Sequence, residues 1–465
     1  MSLTRIANLV QGRLTDVLEP EAMVTEHAVF DSREAVPGAL FIALQGEHAD
    51  GHAYAEAAIN KGAVAALVTR PVGVPAIVVD DVLAAFGRLG RALLHGTFNT
   101  VRIVGITGSA GKTSTKDFIA QVLPGNVVAT PQSFNNEIGL PLTVTMADTR
   151  TDYLVLEMGA RHIGDIRDLT RIAPPDISVI TNIGTAHLGE FGGRDNIAQA
   201  KGEIVEGLRA GGLAVLNADD DYLDALHERA GDRIVTYGLS EQATIRAIDI
   251  ATDAQGQAGY TLLTPEGSAR VQLQVIGEVQ VHNSLAAAAV GREAGLDVHQ
   301  VSARLSAALP RSRWRMETTT RADGVTIVND AYNANPDSMH HSLNALAAMS
   351  GGASQRSVAV LGRMNELGDD AHAAHVEIGR YAAGRDLDLD QIILVGGEEA
   401  QWILDGVQSG GGTAVCVPDQ DTALHLLHST LRPGDVVLVK ASRGVQLQQL
   451  AAALLQPNLS SPAGS

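Results

Sequence analysis

The stretch that decides the fold reads Val101-Arg102-Ile103-Val104-Gly105-Ile106-Thr107-Gly108-Ser109-Ala110-Gly111-Lys112-Thr113-Ser114-Thr115. Its apolar, β-branched beginning predicts a buried strand, its glycines predict a tight loop, and Lys112-Thr113 opens a helical pattern. Such a loop directs backbone N–H groups at a polyphosphate, while the lysine adds positive charge and the threonine hydroxyl can bind Mg²⁺. The strict spacing requires glycine at position 106, so an ordinary glycine turn is the alternative. The order of elements favours an ATP-binding loop over residues 107–114.

Composition narrows the class of protein. A formal net charge of −19 argues against nonspecific binding to nucleic acid or to a membrane surface, because both require basic patches. No apolar run approaches the ~20 residues of a membrane-spanning helix, so we expect no membrane insertion. The single cysteine, Cys416, excludes an intrachain disulfide and indicates a reducing compartment. Its apolar neighbours predict a buried strand residue. We therefore expect a cytoplasmic protein.

Length and pattern together predict an α/β protein of three domains. At ~150 residues per domain, a chain of 465 residues holds about three. Short apolar strands alternate with helices after residue 100, which is typical of a doubly wound sheet that binds ligands at the carboxyl ends of its strands. We predict a small N-terminal α/β domain over residues 1–82, a central P-loop domain over 83–309, a C-terminal Rossmann-like α/β domain over 310–458 and a disordered tail over 459–465.

Two polar segments of the predicted central domain could assist the ATP-binding loop. The apolar run Tyr153–Glu157 predicts a strand that ends in a carboxylate. P-loop enzymes hold Mg²⁺ with such an acid and the hydroxyl of the loop, so Glu157 and Thr113 are predicted metal ligands. Asn136 lies in a second polar loop, where its amide could donate to phosphate or substrate oxygens. A plain asparagine turn is equally compatible with this loop.

A dense polar turn follows a predicted strand in the last third of the chain. It reads Asp330-Ala331-Tyr332-Asn333-Ala334-Asn335-Pro336-Asp337-Ser338. This density of Asn and Asp exceeds what a helix cap requires. Asp330 is a candidate acceptor for a ribose hydroxyl, Tyr332 offers an aromatic face to a base, and the amides of Asn333 and Asn335 offer polar edges. The turn is therefore a predicted binding element.

Together these segments resemble the Mur ligases, the ATP-dependent enzymes that build the peptide of peptidoglycan. The likeness spans nearly the whole chain. The motifs that carry it are Asp31-Ser32-Arg33, Pro37-Gly38-Ala39-Leu40-Phe41, Asp50-Gly51-His52, the ATP-binding loop, Asn135-Asn136, Glu157-Met158-Gly159, Thr181-Asn182-Ile183 with His187, Ala200-Lys201-Gly202-Glu203-Ile204, the polar turn from Asp330 to Ser338, Leu361-Gly362-Arg363-Met364-Asn365-Glu366-Leu367-Gly368, and Val439-Lys440-Ala441-Ser442-Arg443.

The resemblance implies roles for residues that would otherwise be interpreted as surface positions. Within the family pattern, His187 and Lys201 bind a second Mg²⁺, and Lys201 is carbamylated to supply an anionic oxygen. Arg315 reaches the γ-phosphate of ATP from the C-terminal domain. Asn283 contacts the adenine side of the nucleotide, together with Asp330, Tyr332 and Asn333. The implied catalytic residues are Lys112, Asn136, His187, Lys201 and Arg315.

The resemblance also implies the reaction and its substrates. The expected activity is ATP-dependent ligation of D-alanyl-D-alanine to UDP-N-acetylmuramoyl-tripeptide by a monomer, and the Tyr332–Pro336 run is the motif most specific to that branch. The implied substrate-binding residues are Ser32, Arg33, Gly46, Asp50, His52 and Asn335. The chain departs from the family pattern at Val279-Gln280 and at Arg363. Another amide ligase of the superfamily, such as a tripeptide synthetase or folylpolyglutamate synthetase, and a P-loop ATPase switch are the alternatives.

Overall fold

A computed structural model describes residues 1–46, 49–185, 188–351 and 355–456. Within these residues the strands form three sheets, of five, nine and six strands, each built from its own consecutive part of the chain. The predicted α/β class with three sheet-containing regions is therefore confirmed. His187 and the predicted disordered tail, residues 459–465, lie outside the described residues. Among the helices of the described ranges, none combines the length and the apolarity needed to cross a bilayer.

The N-terminal region packs a small sheet against helices. Its elements are α1 (Leu3–Val10), β1 (Arg13–Thr15), β2 (Ala28–Val29), β3 (Leu40–Ile42), α2 (Ala55–Asn60), β4 (Ala65–Val68), β5 (Ala76–Val78) and α3 (Val82–His95), with 3₁₀ turns at Ser32–Glu34 and Gly51–Tyr54. Strands β2 to β5 are parallel, and β1 is antiparallel to β5. Helix α3 contributes Phe86 to the N-terminal core and Leu94 to the central core. It therefore connects the two regions, and the limit at residue 82 stays a prediction.

The central region is a nine-stranded sheet within the described residues, with helices on both faces. Its strands are β6 (Arg102–Thr107), β7 (Val127–Ala129), β8 (Tyr153–Glu157), β9 (Ile177–Ile180), β10 (Leu213–Asn217), β11 (Ile234–Gly238), β12 (Ile245–Thr252), β13 (Gln257–Thr264) and β14 (Gly267–Ile276). Its helices are α4 (Lys112–Val122), α5 (Gly139–Thr145), α6 (Asp165–Ile172), α7 (Leu188–Phe191), α8 (Arg194–Glu206), α9 (Leu223–Arg229), α10 (Val279–Glu293) and α11 (Val298–Ala307).

The strand order of this sheet places the ATP-binding loop near its middle. The order is β14-β13-β12-β11-β10-β9-β6-β8-β7, parallel from β7 to β12 and antiparallel from β12 to β14. Strand β6 therefore lies between β8 and β9, the two strands that carry Glu157 and lead to Thr181. Because parallel strands end at one edge, the loop and these side chains meet there.

The C-terminal region is a second sheet with helices around it. Its elements are β15 (Glu317–Thr320), β16 (Thr326–Asn329), α12 (Pro336–Met349), β17 (Ser357–Leu361), α13 (Ala371–Ala382), β18 (Gln391–Val395), α14 (Glu398–Ser409), β19 (Val415–Val417), α15 (Gln420–Thr430), β20 (Val436–Lys440) and α16 (Leu447–Leu454), with 3₁₀ turns at Gly368–Asp370 and Arg443–Val445. The strand order is β15-β16-β20-β17-β18-β19. Strand β19 is at the edge, and Cys416 on it is exposed. The prediction that Cys416 is buried is wrong because an edge strand lacks a neighbour on one side.

Candidate active site

The ATP-binding loop joins strand β6 to helix α4 through two conformations that require glycine. Gly108 and Gly111 have φ angles of 149° and 79°, a region that other residues rarely adopt. A Cβ atom at Gly108 would collide with Thr181 Oγ1, and one at Gly111 would lie 2.5 Å from Asn283 Oδ1. The glycines therefore allow close contact with two neighbouring segments while the loop turns the N-terminus of α4 toward a cavity.

Thr181 and Asn182, which the sequence analysis quoted only within a motif, hold this loop in place. The backbone N–H of Ala110 donates to Asn182 Oδ1 at 2.9 Å, and that of Ser109 donates to Asn182 O at 3.0 Å. Thr181 Oγ1 donates to Ala110 O at 2.5 Å. The available signal was the polar Thr181-Asn182 pair directly after a buried strand. These contacts fix the loop backbone through atoms of the protein itself.

Lys112 lies at the first position of α4 and folds over the loop. Its Nζ donates to Gly108 O at 2.6 Å. Burial lowers the pKa of the Lys112 ammonium, the Glu157 carboxylate raises it, and the positive charge of Arg315 lowers it again, with a net decrease. Two cations are thus held near each other in a poorly solvated place. An anion bound between them would relieve this repulsion.

Oxygen-bearing side chains meet beside Thr113. Its Oγ1 donates to Glu157 Oε2 at 2.9 Å and lies 3.2 Å from Ser133 Oγ, while Asn135 Nδ2 donates to Glu157 Oε1 at 2.8 Å. Such hard oxygen donors suit Mg²⁺, which takes only one or two protein oxygens and completes its shell with phosphates and water. In the described ranges no cluster of three or more His, Cys, Asp or Glu side chains could hold a metal. The Thr113–Glu157 pair fits a phosphate-linked Mg²⁺ site rather than a protein-only cage.

Arg315 reaches this site from the segment that connects the central and C-terminal regions. Its Nη2 donates to Ser133 Oγ at 3.1 Å, and its guanidinium lies over the Tyr332 ring at 4.4 Å from the centroid. Arg443 faces the same ring at 5.4 Å. Trp314 stacks on Tyr332 with centroids 6.4 Å apart. The aromatic ring therefore positions two guanidinium groups beside the loop.

The polar turn after β16 is organised by a buried ion pair. Asp330 Oδ2 accepts from Lys440 Nζ at 2.5 Å and from Ser342 Oγ at 2.7 Å, and Asp330 Oδ1 accepts from the Met316 N–H at 3.0 Å. Lys440 Nζ also donates to Asn333 O at 3.1 Å. Asp330 therefore already has three donors, and a ribose hydroxyl would join this network.

Three predicted amide side chains have partners within the chain. Asn283 Oδ1 accepts from Thr115 Oγ1 at 3.1 Å, and its Nδ2 donates to Gln280 Oε1 at 2.9 Å. Asn136 Oδ1 accepts from the Gly139 N–H at 3.1 Å. Asn335 is the N-cap of α12 and accepts from the N–H of Ser338 at 2.9 Å. These residues shape the site, and their contacts with ligands stay predictions.

Lys201 lies on α8 as one of the largest fully buried side chains. Only 1% of its surface is exposed. Burial lowers the pKa of Lys201 well below its ordinary value, and the charge of Lys112 lowers it further. Within the described ranges, no hydrogen bond or ion pair joins its ammonium to another residue. A buried amine of this kind favours the neutral form, which is the form that reacts with CO₂.

One cavity of about 980 Å³ collects most of the predicted site residues from the central and C-terminal regions. The predicted residues that line it are Ser109, Ala110, Gly111, Lys112, Thr113, Ser114, Asn136, Glu157, Asn283, Arg315, Asp330, Tyr332, Asn333 and Asn335. Thr107, Gly108 and Lys201 do not line it. Many further residues line the cavity, and those that the sequence analysis did not assign to the site include Ser133, Asn135, Asn182, Glu366, Lys440 and Arg443.

The predicted substrate-binding residues of the N-terminal region do not line this cavity. Asp31 caps the 3₁₀ turn and pairs with the exposed Arg33, whose hydrogen bonds lower the pKa of Asp31 to about 2. Asp50 Oδ1 lies 2.6 Å from His52 Nδ1, and His52 Nε2 accepts from the Thr69 N–H at 2.9 Å. The buried His52 therefore supports the local turn. Ser32 and Gly46 belong to the same N-terminal region and are not among the residues that line the cavity.

Comparison with known proteins assigns the class. The chain belongs to the Mur ligase family. Three family models match it: the Mur ligase middle domain over residues 106–291, the Mur ligase glutamate ligase domain over 314–443, and the Mur ligase family catalytic domain over 27–89. It is similar to the UDP-N-acetylmuramoyl-tripeptide--D-alanyl-D-alanine ligase of Mycobacterium tuberculosis strain H37Rv, with 45% identity over 98% of both chains. The Escherichia coli K12 protein of that name is 34% identical over 95% of this chain and 97% of its own.

Solved structures agree with this assignment. A crystal structure of MurF from Acinetobacter baumannii has a TM-score of 0.87 at 31% identity, with 98% of each chain covered. The MurF ligase of Thermotoga maritima in complex with ADP has a TM-score of 0.78 at 29% identity, with 93% of this chain and 97% of that chain covered. The resemblance seen in the motifs is therefore confirmed at the level of the family.

Proposed function

We propose that this protein joins D-alanyl-D-alanine to UDP-N-acetylmuramoyl-tripeptide, with ATP converted to ADP and phosphate. The observation that carries the proposal is 45% identity over 98% of both chains to a ligase of that name. Such coverage extends through the N-terminal, central and C-terminal regions, so all three would serve the same reaction. Because the reaction consumes ATP and a nucleotide-linked precursor, we propose that the protein works in the cytoplasm. We also propose that it acts as a monomer.

Nucleotide binding would centre on the loop between β6 and α4. Its backbone N–H groups, the Lys112 ammonium and the N-terminus of α4 provide a place for the phosphates. The polar turn with Asp330, Tyr332 and Asn333 would contact the nucleoside. The related MurF ligase of Thermotoga maritima, which is 29% identical, was solved in complex with ADP, and this supports nucleotide binding by the present chain. Gln280, which contacts Asn283, would take part on the adenine side, where the chain departs from the family pattern.

The chemistry explains why cations gather here. A peptide carboxylate oxygen must bond to the γ-phosphorus while the bond to the ADP oxygen breaks, and the two reactants are both anions. Lys112 and Arg315 would lower that repulsion and stabilise the loosely bonded phosphoryl group. The amine of D-alanyl-D-alanine then bonds to the carbonyl carbon of the acyl phosphate, phosphate leaves, and the amine loses a proton. Asn136 would donate to the oxygens that gain charge.

Two metal sites are part of the proposal. Thr113 and Glu157 would hold one Mg²⁺, and His187 and Lys201 would hold the second, with Lys201 as its carbamate. When bound, Mg²⁺ neutralises phosphate charge during transfer. The Lys201 amine, which is buried and has no partner among the described residues, supports a carbamate because its neutral form is favoured. The N-terminal residues Ser32, Arg33, Gly46, Asp50 and His52, with Asn335, would recognise the uridine-nucleotide substrate.

Substrate exchange tests the proposal against its closest alternatives. We expect phosphate release that depends on both UDP-N-acetylmuramoyl-tripeptide and D-alanyl-D-alanine, with formation of the pentapeptide nucleotide. Meso-diaminopimelate or D-glutamate as the preferred amine would instead assign another member of the superfamily. Phosphate release without either peptide substrate would favour an ATPase switch. Chromatography with mass detection of the nucleotide product distinguishes these outcomes.

A further inference from the structure

A second cavity of about 460 Å³ lies between helix α4, the segment after β7 and the connection to the C-terminal region. We call it the linker cavity. Its walls include Lys116 and Asp117 of α4, residues 130–133, and residues 311–315. Thr113, Ser133, Arg315 and Tyr332 line both this cavity and the active-site cavity. The two spaces therefore share a wall at the place where the γ-phosphate end of ATP is proposed to lie.

Two arginines that lack a partner among the described residues line the linker cavity. Arg311 and Arg313 are exposed, and neither side chain forms a hydrogen bond or ion pair with another residue of the described ranges. The nearby Asp117 is already paired with Lys116 at 3.1 Å. Lys116 also donates to Thr130 O at 2.8 Å. In a chain with a net charge of −19, two free guanidinium groups on one cavity are a local attraction for anions.

A hydrogen bond from Arg315 lies in the wall that the two cavities share. Arg315 Nη2 donates to Ser133 Oγ at 3.1 Å, and both residues line both spaces. Trp314 and Met316, on either side of Arg315, have φ angles of 61° and 50°, and Gln132, beside Ser133, has a φ of 50°. Left-handed backbone at residues other than glycine persists only where the surroundings enforce it. The structure thus holds this boundary in a defined conformation.

We propose that the linker cavity is a second anion site, which receives inorganic phosphate as it leaves the active site. The inference rests on the proposed function, because ligation is the source of the phosphate. Arg315 contacts phosphate first, and Arg313 and Arg311 then accept it by exchange of charge-assisted hydrogen bonds. No covalent bond changes in this step. Arginine at three alternate positions from the shared wall to the solvent gives the anion a continuous set of donors.

Phosphate binding can be measured without any peptide substrate. The chain has two tryptophans, so Trp402→Phe leaves Trp314, on the wall of the linker cavity, as the single reporter. Titration with inorganic phosphate, against sodium chloride of matched ionic strength, should give a saturable change in Trp314 fluorescence and broaden the phosphorus-31 resonance. Arg311→Ala with Arg313→Ala should weaken this binding by about tenfold or more. The matched Arg311→Lys with Arg313→Lys pair should retain most of it.

A kinetic arm tests the direction of release. In a single turnover, acid quench measures product formation, and a fluorescent phosphate sensor measures free phosphate. The double alanine variant should form product at the unmodified rate but release phosphate several times more slowly. Equal phosphate binding or equally fast release in that variant overturns the inference, as does the lack of any saturable response. If the unmodified protein binds phosphate but does not ligate the two substrates, the proposed function is contradicted and the phosphate site is not. Lys112→Met should retain the binding signal, which separates the linker cavity from the active site.

Discussion

At the scale of single residues, the candidate active site brings together basic side chains that have no anionic partner among the described residues. Lys112 and Arg315 repel each other across the ATP-binding loop, and the repulsion contributes to the low pKa of Lys112. Lys201 is buried without an anionic partner among the described residues. Such groups cost stability and are retained where function requires them. The nucleotide and metal would supply the missing negative and positive charges.

Replacement of Lys112 tests this interpretation most directly. We expect Lys112→Met to lower the ligation rate at least about a hundredfold, because a preorganised cation is lost from the transferring phosphoryl group. The melting temperature should stay equal or increase, since a partly desolvated charge is removed. Lys112→Arg, which keeps the charge, should recover part of the activity. Undiminished ligation by Lys112→Met would contradict the proposed role of the loop.

Lys201 provides a test of the carbamate. Lys201→Ala should lose ligation by about a hundredfold or more, since an anionic metal ligand is removed. Short carboxylic acids should restore part of the activity by supplying an oxygen anion in the vacated space. Lys201→Arg keeps a long basic side chain but cannot form a carbamate, and it should stay inactive. Full activity of either variant, measured in the ligation assay, would contradict the carbamate.

The meeting of Lys112, Thr113 and Glu157 at one edge of the sheet was predictable, but the contacts that support these residues were not. Lys112, Thr113 and Glu157 occupy positions relative to strand ends that are visible in the chain itself. Ser133, Asn182 and Lys440 act through partners that are far away in sequence, so only the tertiary structure reveals them. His187 lies outside the described residues, and its role stays a prediction.

At the scale of elements, short loops carry the function and neighbouring helices hold them. The segment after β17 is an example. The buried His375 on α13 accepts the Met364 N–H at Nε2, 3.0 Å away, and its Nδ1 lies 2.6 Å from Ala371 O. This pattern fixes a neutral imidazole with its proton on Nδ1. The same segment brings Glu366 to the active-site cavity. His375 thus connects a helix to a loop that lines the cavity.

The pH dependence of stability should reflect this contact. Burial lowers the pKa of His375 below its usual 6.5, so the unfolded chain takes up a proton more readily than the folded one. The free energy of unfolding should therefore decrease as the pH falls below about 6.5. His375→Gln cannot titrate and can still accept the Met364 N–H, so its denaturation curves should show a smaller slope. His341 has a lowered pKa for the same reason, and its contribution remains.

The ATP-binding loop allows a matched comparison of glycines. Gly111 and Gly211 have similar φ angles of 79° and 75°, but only Gly111 has a neighbour, Asn283, in the space of a Cβ. In both alanine variants the left-handed backbone should lower the free energy of unfolding by about 1 kcal/mol or more. Gly111→Ala should lose further stability and nucleotide affinity, as measured by thermal unfolding with and without ADP. Equal losses would show that contact with Asn283 is unimportant.

Strands were easier to predict than their edges. The runs that became β6, β8, β10 and β17 are continuous, apolar and buried, which leaves little alternative to a central strand. Strand β15, Glu317–Thr320, has all four residues exposed and carries no apolar signal. It exists because β16 offers an antiparallel partner, which is a property of the folded sheet and not of the segment.

At the scale of the whole molecule, the central and C-terminal regions are in direct contact at several points. Arg161 pairs with Glu366 at 3.2 Å, and the Thr185 N–H donates to Asp337 Oδ2 at 3.2 Å. Gly189 packs so closely that a Cβ there would lie 2.6 Å from Gly368 Cα. Water exclusion matters because an acyl phosphate hydrolyses readily. The absence of side chains at this contact lets the two regions approach.

Gly189→Ala should therefore hinder the approach of the two regions. We expect a larger radius of gyration by solution scattering and a lower ligation rate, with ATP hydrolysis that is less dependent on the amine. Gly231→Ala is the matched control, because a Cβ there has no neighbour within 4 Å. If Gly189→Ala matched the control in shape and rate, the contact would have no part in catalysis.

The edge position of strand β19 has a practical consequence. Cys416 is the single thiol of the chain and is exposed on that strand. A maleimide dye would therefore attach at one known point of the C-terminal region without prior mutagenesis. A second label introduced on the central region would then report distance changes between them during turnover, one molecule at a time.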